Sequence, residues 1–131
     1  MDFSSGIAVD AAHSTKNRCT EIQGIDLATG EVIFYENLGN QTVNIGEFLA
    51  IVAAAKYIVA HNHKPRLIFS DSTTAITWFN EKYTASKKRN KHLQKAEIYL
   101  KACWKYLQGI EVVHWNTQEW GENPADFGRK G

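Results

Sequence analysis

The sequence predicts an α/β domain: a mixed five-stranded sheet, three antiparallel strands followed by two parallel ones, flanked by helices. Three observations point there. Three segments of alternating apolar and polar residues come first, joined by short connections. A long segment that is apolar almost all round follows, which marks a buried helix. Two short apolar strands come later, each preceded by a helical segment, and helical crossovers bring such strands into a sheet in parallel.

The elements follow in order. Gly6 to Ala11 alternates and reads as the first strand. Thr20 to Asp26 and Glu31 to Leu38 are the second and third, and the turn residues Ala28-Thr29-Gly30 make them a hairpin. Asn44 to Ala60 is the buried helix. Arg66 to Ser70 is a short strand after Lys64-Pro65, and Ser72 to Glu81 is a second helix. Asn90 to Leu107 reads as a third helix, closed by Gly109. Ile110 to Trp115 is the last strand. Asn123-Pro124-Ala125 opens a final short helix, with proline in its first turn. The order is βββαβααβα.

The 131 residues fit one domain, 1–131, with no internal repeat or linker. At 44 % hydrophobic and 22 % charged residues, such a chain buries a core without a disulfide or a structural metal. Cys19 and Cys103 stand in no zinc spacing and read as buried, reduced thiols. No run approaches the roughly 20 apolar residues of a membrane span. Met1 to Ser5 lacks the basic start and apolar stretch of a signal peptide, so the expected location is cytoplasmic.

Net charge is only +1, but its distribution is uneven. Residues 1–50 hold seven acids against Lys16 and Arg18. Residues 82–105 hold eight cations, Lys87, Lys88 and Arg89 among them, against Glu97 alone. A basic run of this density suits phosphate binding; its plainer reading is a solvated helix face.

Four acids draw attention by position. Asp10 is read at the end of the first strand, on the face opposite Ile7 and Val9. Asp71 follows the fourth strand, and the carboxyl ends of strands are where α/β sheets gather ligands. Glu47 lies in the first turn of the apolar helix and is the only acid between Asn37 and Ser70. Asp126 stands three residues after Asn123. Each has a plain alternative. Asp10 reads as a turn residue, Asn44-x-x-Glu47 has capping-box spacing, Asp71 or Ser72 caps the next helix, and Asn123 and Asp126 share a cap. Together the four ask for a cation. Two unit charges about 4 Å apart repel by roughly 4 kcal/mol at an intermediate dielectric, so a cluster either holds protons or binds metal. Oxygen-only ligands suit Mg²⁺ or Mn²⁺ rather than zinc.

Val9-Asp10-Ala11-Ala12, Asn44-Ile45-Gly46-Glu47-Phe48-Leu49-Ala50, Phe69-Ser70-Asp71-Ser72, Val113-His114-Trp115 and Pro124-Ala125-Asp126, in that order, resemble the type 1 ribonuclease H family over nearly the whole chain. The closing Trp120-Gly121-Glu122-Asn123-Pro124-Ala125-Asp126-Phe127-Gly128-Arg129-Lys130 looks like a bacterial subgroup of it. The resemblance implies a ribonuclease H-like fold and an endonuclease that hydrolyses the RNA strand of RNA–DNA hybrids, leaving 5′-phosphate and 3′-hydroxyl ends. It implies two Mg²⁺ ions, with Mn²⁺ as a substitute, on Asp10, Glu47, Asp71 and Asp126. Asp10 would bridge both ions, Asp126 share the one that holds the water, and Glu47 and Asp71 share the one at the leaving oxygen. Asn44 matches a position touching the hybrid backbone, Thr42 one that holds a DNA phosphate, and Asn17 lies in the loop that reads RNA 2′-hydroxyls. Ser72 joins these as a nucleic-acid contact. Lys87, Lys88 and Arg89 lie where some members carry a basic protrusion gripping DNA, with Trp78 and Tyr83 as aromatics that would pack on a deoxyribose. Trp104 reads as core. The expected partner is the hybrid duplex, bound by a monomer with no obligate protein partner and no membrane.

Read as it stands, the sequence is expected to depart from the family pattern at four points. No Gly-His follows the last strand, which leaves Glu119 or Glu122 as substitutes for that histidine; His114 reads as a structural strand residue. The usual Asp-Gly is Asp10-Ala11. Few residues follow Asp126, and no separate N-terminal hybrid-binding domain is present, so affinity is expected to come from this domain. Two rival readings stand beside the nuclease: a non-catalytic nucleic-acid-binding module on the same fold, with the acids as caps, and a nuclease of the transposase type that cuts DNA alone.

Overall fold

The structure is a computed structural model, in which residues 5–14, 16, 18–40, 42–81, 91–121 and 123–125 are described. Its sheet has five strands in the order β3-β2-β1-β4-β5: β1 (Ile7–Ser14), β2 (Cys19–Asp26), β3 (Glu31–Asn37), β4 (Leu67–Ser70) and β5 (Glu111–His114). β1 pairs antiparallel with β2, and β2 with β3. β4 pairs parallel with β1 on one side and β5 on the other. This is the mixed sheet that the strand pattern predicts.

β1 is the central strand, covered on both faces, and Ile7 through Ala12 are all buried. Ile7, Val9 and Ala11 join the larger core with Ile22 and Ile68. Ala8, between them, joins a second cluster on the other face with Phe69, Trp115 and Ala125. The larger core lies under α1 (Val43–His61), which packs on β1, β2 and β4 and against α2 (Thr73–Glu81) and α3 (Lys91–Ala102). Eleven of the nineteen α1 residues are buried. By length and hydropathy α1 is long and apolar enough to cross a membrane, contrary to the expectation from apolar runs; its buried residues pack on the sheet and on α2 and α3.

Several boundaries differ from the sequence expectation for local reasons. β1 continues to Ser14, because all eight of its residues find partners in β2, so Asp10 is in mid-strand and not at its end. The third helix is broken at Cys103, where φ is −106° and ψ is 13°. α3 stops at Ala102, and a 3₁₀ turn, Trp104–Leu107, takes over. In a 3₁₀ turn residues three apart eclipse, so Trp104 and Leu107 both reach the core. A one-turn helix α4 (Thr117–Trp120), capped by Asn116 through the Glu119 amide, had no signal in the periodicity. Cys19 and Cys103 are free thiols, half-buried rather than fully so. Pro124 and Ala125 are in a turn and not a helix; the rest of the expected final helix lies outside the described residues.

Close approach of α1 to the sheet depends on Gly46. A Cβ there would stand 2.7 Å from Thr20 Cγ2 and 3.0 Å from Ala11 Cβ, neither of which is the end of a flexible chain. Alanine favours helix over glycine by about 1 kcal/mol, yet overpacking of this kind costs about 1–3 kcal/mol. Gly46→Ala is therefore expected to lower stability in urea denaturation, and to push the neighbouring Glu47 away from β1.

Candidate active site

The site arises where two parallel strands part. β4 pairs with β1 at Ile7↔Ile68 and Ala8↔Phe69 and ends at Ser70, while β1 runs on. Continuing that register brings Asp71 level with Asp10. Beyond Ala8 the β4-facing edge of β1 has lost its strand partner, and two side chains take over its hydrogen bonds. Asn123 Nδ2 donates to the Val9 carbonyl at 3.0 Å. The Ala11 amide donates to Glu47 Oε1 at 2.5 Å. Backbone groups of residues i and i+2 face the same edge of a strand, so these two bonds occupy one notch.

A cleft of about 340 Å³ opens at the notch, lined by Asp10, Asn44, Glu47, Asp71 and Ser72 among others. Asp10 and Glu47 are buried, 8 % and 4 % exposed, and Asp71 is exposed at the mouth. The strand end, the helix start and the central strand thus bring together three of the four acids singled out by sequence. Asp126 lies outside the described residues, as do Glu122, Asn17, Lys87, Lys88, Arg89 and Tyr83. The segment leading to Asp126 is tied to the site: the Ala125 carbonyl accepts from Gln23 Nε2 at 2.5 Å, and Gln23 is the β2 partner of Asp10.

The capping-box reading of Glu47 is overturned. The N-cap of α1 is Thr42, whose Oγ1 accepts from the Ile45 amide at 3.3 Å. Asn44 is already inside the helix, and Glu47 turns its carboxyl to β1 instead of back to the helix start. Thr42 and Asn44 stand exposed beside the cleft mouth. Ser72 does cap α2, its Oγ accepting from the Ala75 amide at 3.0 Å, and still borders the cleft. Trp78 is not available to a sugar: it is 8 % exposed and packs edge-on to Phe48 at 6.0 Å.

Burial pushes the Glu47 carboxyl up to about 9. The charge of Asp10 and the contact with its carboxyl act in the same direction, as does the charge of Asp71 to a lesser degree; the Ala11 amide works the other way. Glu47 Oε2 is buried and finds no hydrogen-bond donor among the described residues. A buried acceptor without a donor, beside a second carboxylate, is what a cation would satisfy. The donor set is oxygen only, which fits Mg²⁺ or Mn²⁺. Among the described residues no three side chains close into a metal cage. Mg²⁺ commonly takes one or two carboxylates and completes its shell with water and substrate phosphate, so an open set suits it.

A second hollow of about 310 Å³ shares Asp71 and continues past β5 along His114, Asn116, Thr117 and Gln118. His114, read from sequence as structural, is exposed there at the end of β5. Glu119 is exposed in α4 and lines neither hollow. The residue that sequence reasoning missed is Asn123. By sequence it is only a helix cap, and its side-chain oxygen does accept from the Ala125 amide at 2.8 Å, but its amide nitrogen also reaches Asp71 Oδ2 at 3.3 Å. An asparagine before proline signals a cap; nothing in the chain near it signals contact with residues 52 and 114 positions away.

No protein-family profile matches the chain. Among solved structures it is similar to LC11 ribonuclease H1, isolated from compost by a metagenomic approach, with a TM-score of 0.58 and 15 % identity over 86 % of this chain and 84 % of that one. The same LC11 enzyme has been solved in complex with an RNA/DNA hybrid and matches with a TM-score of 0.57 at 14 % identity. Ribonuclease H1 from Halobacterium salinarum NRC-1 matches with a TM-score of 0.55 at 14 % identity over 86 % of each chain. The foamy viral protease-reverse transcriptase, also solved with an RNA/DNA hybrid, matches with a TM-score of 0.54 at 22 % identity; the match covers 92 % of this chain and 18 % of the viral one. Together with the strand order and the flanking helices, these likenesses show that the chain adopts the ribonuclease H-like fold.

Proposed function

We propose that this chain is a ribonuclease H: an endonuclease that hydrolyses the RNA strand of RNA–DNA hybrids. One observation carries the reading, the convergence of Asp10, Glu47 and Asp71 on a single cleft at the carboxyl end of β4. The fold of the ribonuclease H1 structures, one of them holding a hybrid, supports the substrate class. Two Mg²⁺ ions, with Mn²⁺ as substitute, are the proposed cofactors, held by Asp10, Glu47, Asp71 and Asp126; when bound they supply activation of water and stabilisation of the leaving 3′ oxygen.

The side chains divide the remaining work. Asp10 is buried in the middle of the central strand, so its carboxylate has little freedom to drift. Glu47 is fixed by the Ala11 amide through one oxygen and presents the other to the cleft. Asp71, at the mouth, meets the incoming phosphodiester. Asn44 and Ser72 border the cleft and supply neutral donors to backbone oxygens, and Thr42 stands at the helix start just outside it. Cleavage breaks the bond from phosphorus to the 3′ oxygen, leaving a 3′-hydroxyl and a 5′-phosphate. Lys87, Lys88 and Arg89 add phosphate contacts, which make binding weaken with salt.

The test is incubation of the purified chain with an RNA–DNA hybrid labelled on either strand, with Mg²⁺ or Mn²⁺, beside duplex DNA. The expected result is cutting of the RNA strand of the hybrid alone. Binding without cutting under both metals would favour a non-catalytic module, and cutting of duplex DNA would favour the transposase-type reading.

A further inference from the structure

Resting on the reading of this cleft as a nuclease site, we propose that Asn123 is a positioning residue that locks Asp71 to the central strand across the gap that β4 leaves. Its carboxamide is 4 % exposed and uses every polar atom. Nδ2 carries two protons; one goes to the Val9 carbonyl at 3.0 Å and the other to Asp71 Oδ2 at 3.3 Å. Oδ1 accepts from the Ala125 amide at 2.8 Å. A carbonyl can only accept and an amide N–H can only donate, so Val9 and Ala125 fix which end of the carboxamide faces Asp71. Asn123 cannot flip without losing both.

The consequence is mechanical. Asp71 is the first residue after β4 and is exposed, the kind of position whose side chain samples several rotamers. Asp10, by contrast, is carried in the middle of a paired strand. Asn123 connects the two by bonding the carbonyl one residue before Asp10 and the carboxylate of Asp71 from the same nitrogen. It holds a fixed spacing between carboxylates of two strands that no longer pair. Groups that orient ligands from behind commonly change metal affinity or activity by about 10–100-fold when removed.

The experiment compares the full chain with Asn123→Ala and Asn123→Ser, in the parent and in an Asp71→Asn background. Serine still caps the Ala125 amide but is too short to span Val9 and Asp71, so it separates capping from bridging and serves if the alanine variant does not fold. Mn²⁺ affinity is read by titration calorimetry without substrate, and kcat and KM are read on an RNA–DNA hybrid. Both variants are expected to weaken Mn²⁺ binding and to lower kcat by about 10–100-fold, with KM for the hybrid unchanged. In the Asp71→Asn background they are expected to weaken Mn²⁺ no further. A fall in melting temperature with Mn²⁺ affinity and kcat at parent values would reduce Asn123 to a structural cap and overturn the proposal. So would a loss of equal size in the Asp71→Asn background. If the parent neither binds Mn²⁺ nor cuts hybrid, the nuclease reading fails and takes this proposal with it; a parent that does both beside unaltered variants fails this proposal alone.

Discussion

Asp71→Asn is expected to lower hybrid cleavage by about 10³-fold or more while leaving the fold in place. The loss follows from its position. Asp71 is the carboxylate at the cleft mouth, and it lines both the cleft with Asp10 and Glu47 and the hollow that runs on past His114. A group holding a catalytic cation contributes several kcal/mol to the transition state, and each 1.36 kcal/mol is a decade in rate, so about three decades are at stake. Stability changes little by comparison. Asp71 is exposed, and an asparagine there can still present an oxygen to Asn123 Nδ2, so about 0.5 kcal/mol is the expected bound. Circular dichroism and single-turnover cleavage check the two halves separately. An inactive but unfolded variant would not count as support.

The second large effect is a dependence of metal-free stability on pH. The Glu47 carboxyl is raised from 4.5 to about 9, chiefly by burial and then by Asp10. Between those values the folded protein holds a proton that the unfolded chain has released. The stabilisation from that proton is complete below pH 4.5 and is lost as pH rises through about 9. The loss is a one-proton slope, at most about 1.4 kcal/mol per pH unit. Glu47→Gln, which cannot ionise, is expected to flatten the slope. A cation held by Glu47 in the proposed site would displace that proton, so Mn²⁺ binding near pH 7 is expected to release about one proton. Calorimetry in two buffers of different ionisation enthalpy measures that release directly. A stability profile of Glu47→Gln parallel to that of the parent would show that Glu47 is not the titrating group.

Much of this architecture is legible in the sequence because it rests on periodicity. The alternation in Gly6–Ala11, the Ala28-Thr29-Gly30 turn and the apolar run after Asn44 mark the antiparallel strands and the buried helix almost unaided. What periodicity cannot give is where a pairing stops. Past their last shared pair β1 runs on to Ser14 while β4 ends at Ser70, and that mismatch makes the cleft; no property of residues 7–14 encodes it. Local spacing also misleads at Glu47. Asn44-x-x-Glu47 satisfies a capping rule, yet Thr42 caps the helix, and the Ala11 amide, 36 positions distant in the chain, claims the carboxyl. Asn123 is hidden for the same reason, since its two partners outside its own turn lie in β1 and after β4. The break at Cys103 escapes the helical pattern because a 3₁₀ turn keeps Trp104 and Leu107 on the core side much as a helix would.

A nuclease site in this cleft requires that Asp10, Glu47 and Asp71 share divalent cations. Crystals of the protein grown with Mn²⁺ and an RNA–DNA hybrid, measured at the manganese absorption edge, locate those ions without reference to sequence. Anomalous peaks within about 2.5 Å of oxygens from all three side chains are the expected result. Peaks absent from the notch between β1 and β4, with hybrid bound elsewhere on the surface, would contradict it.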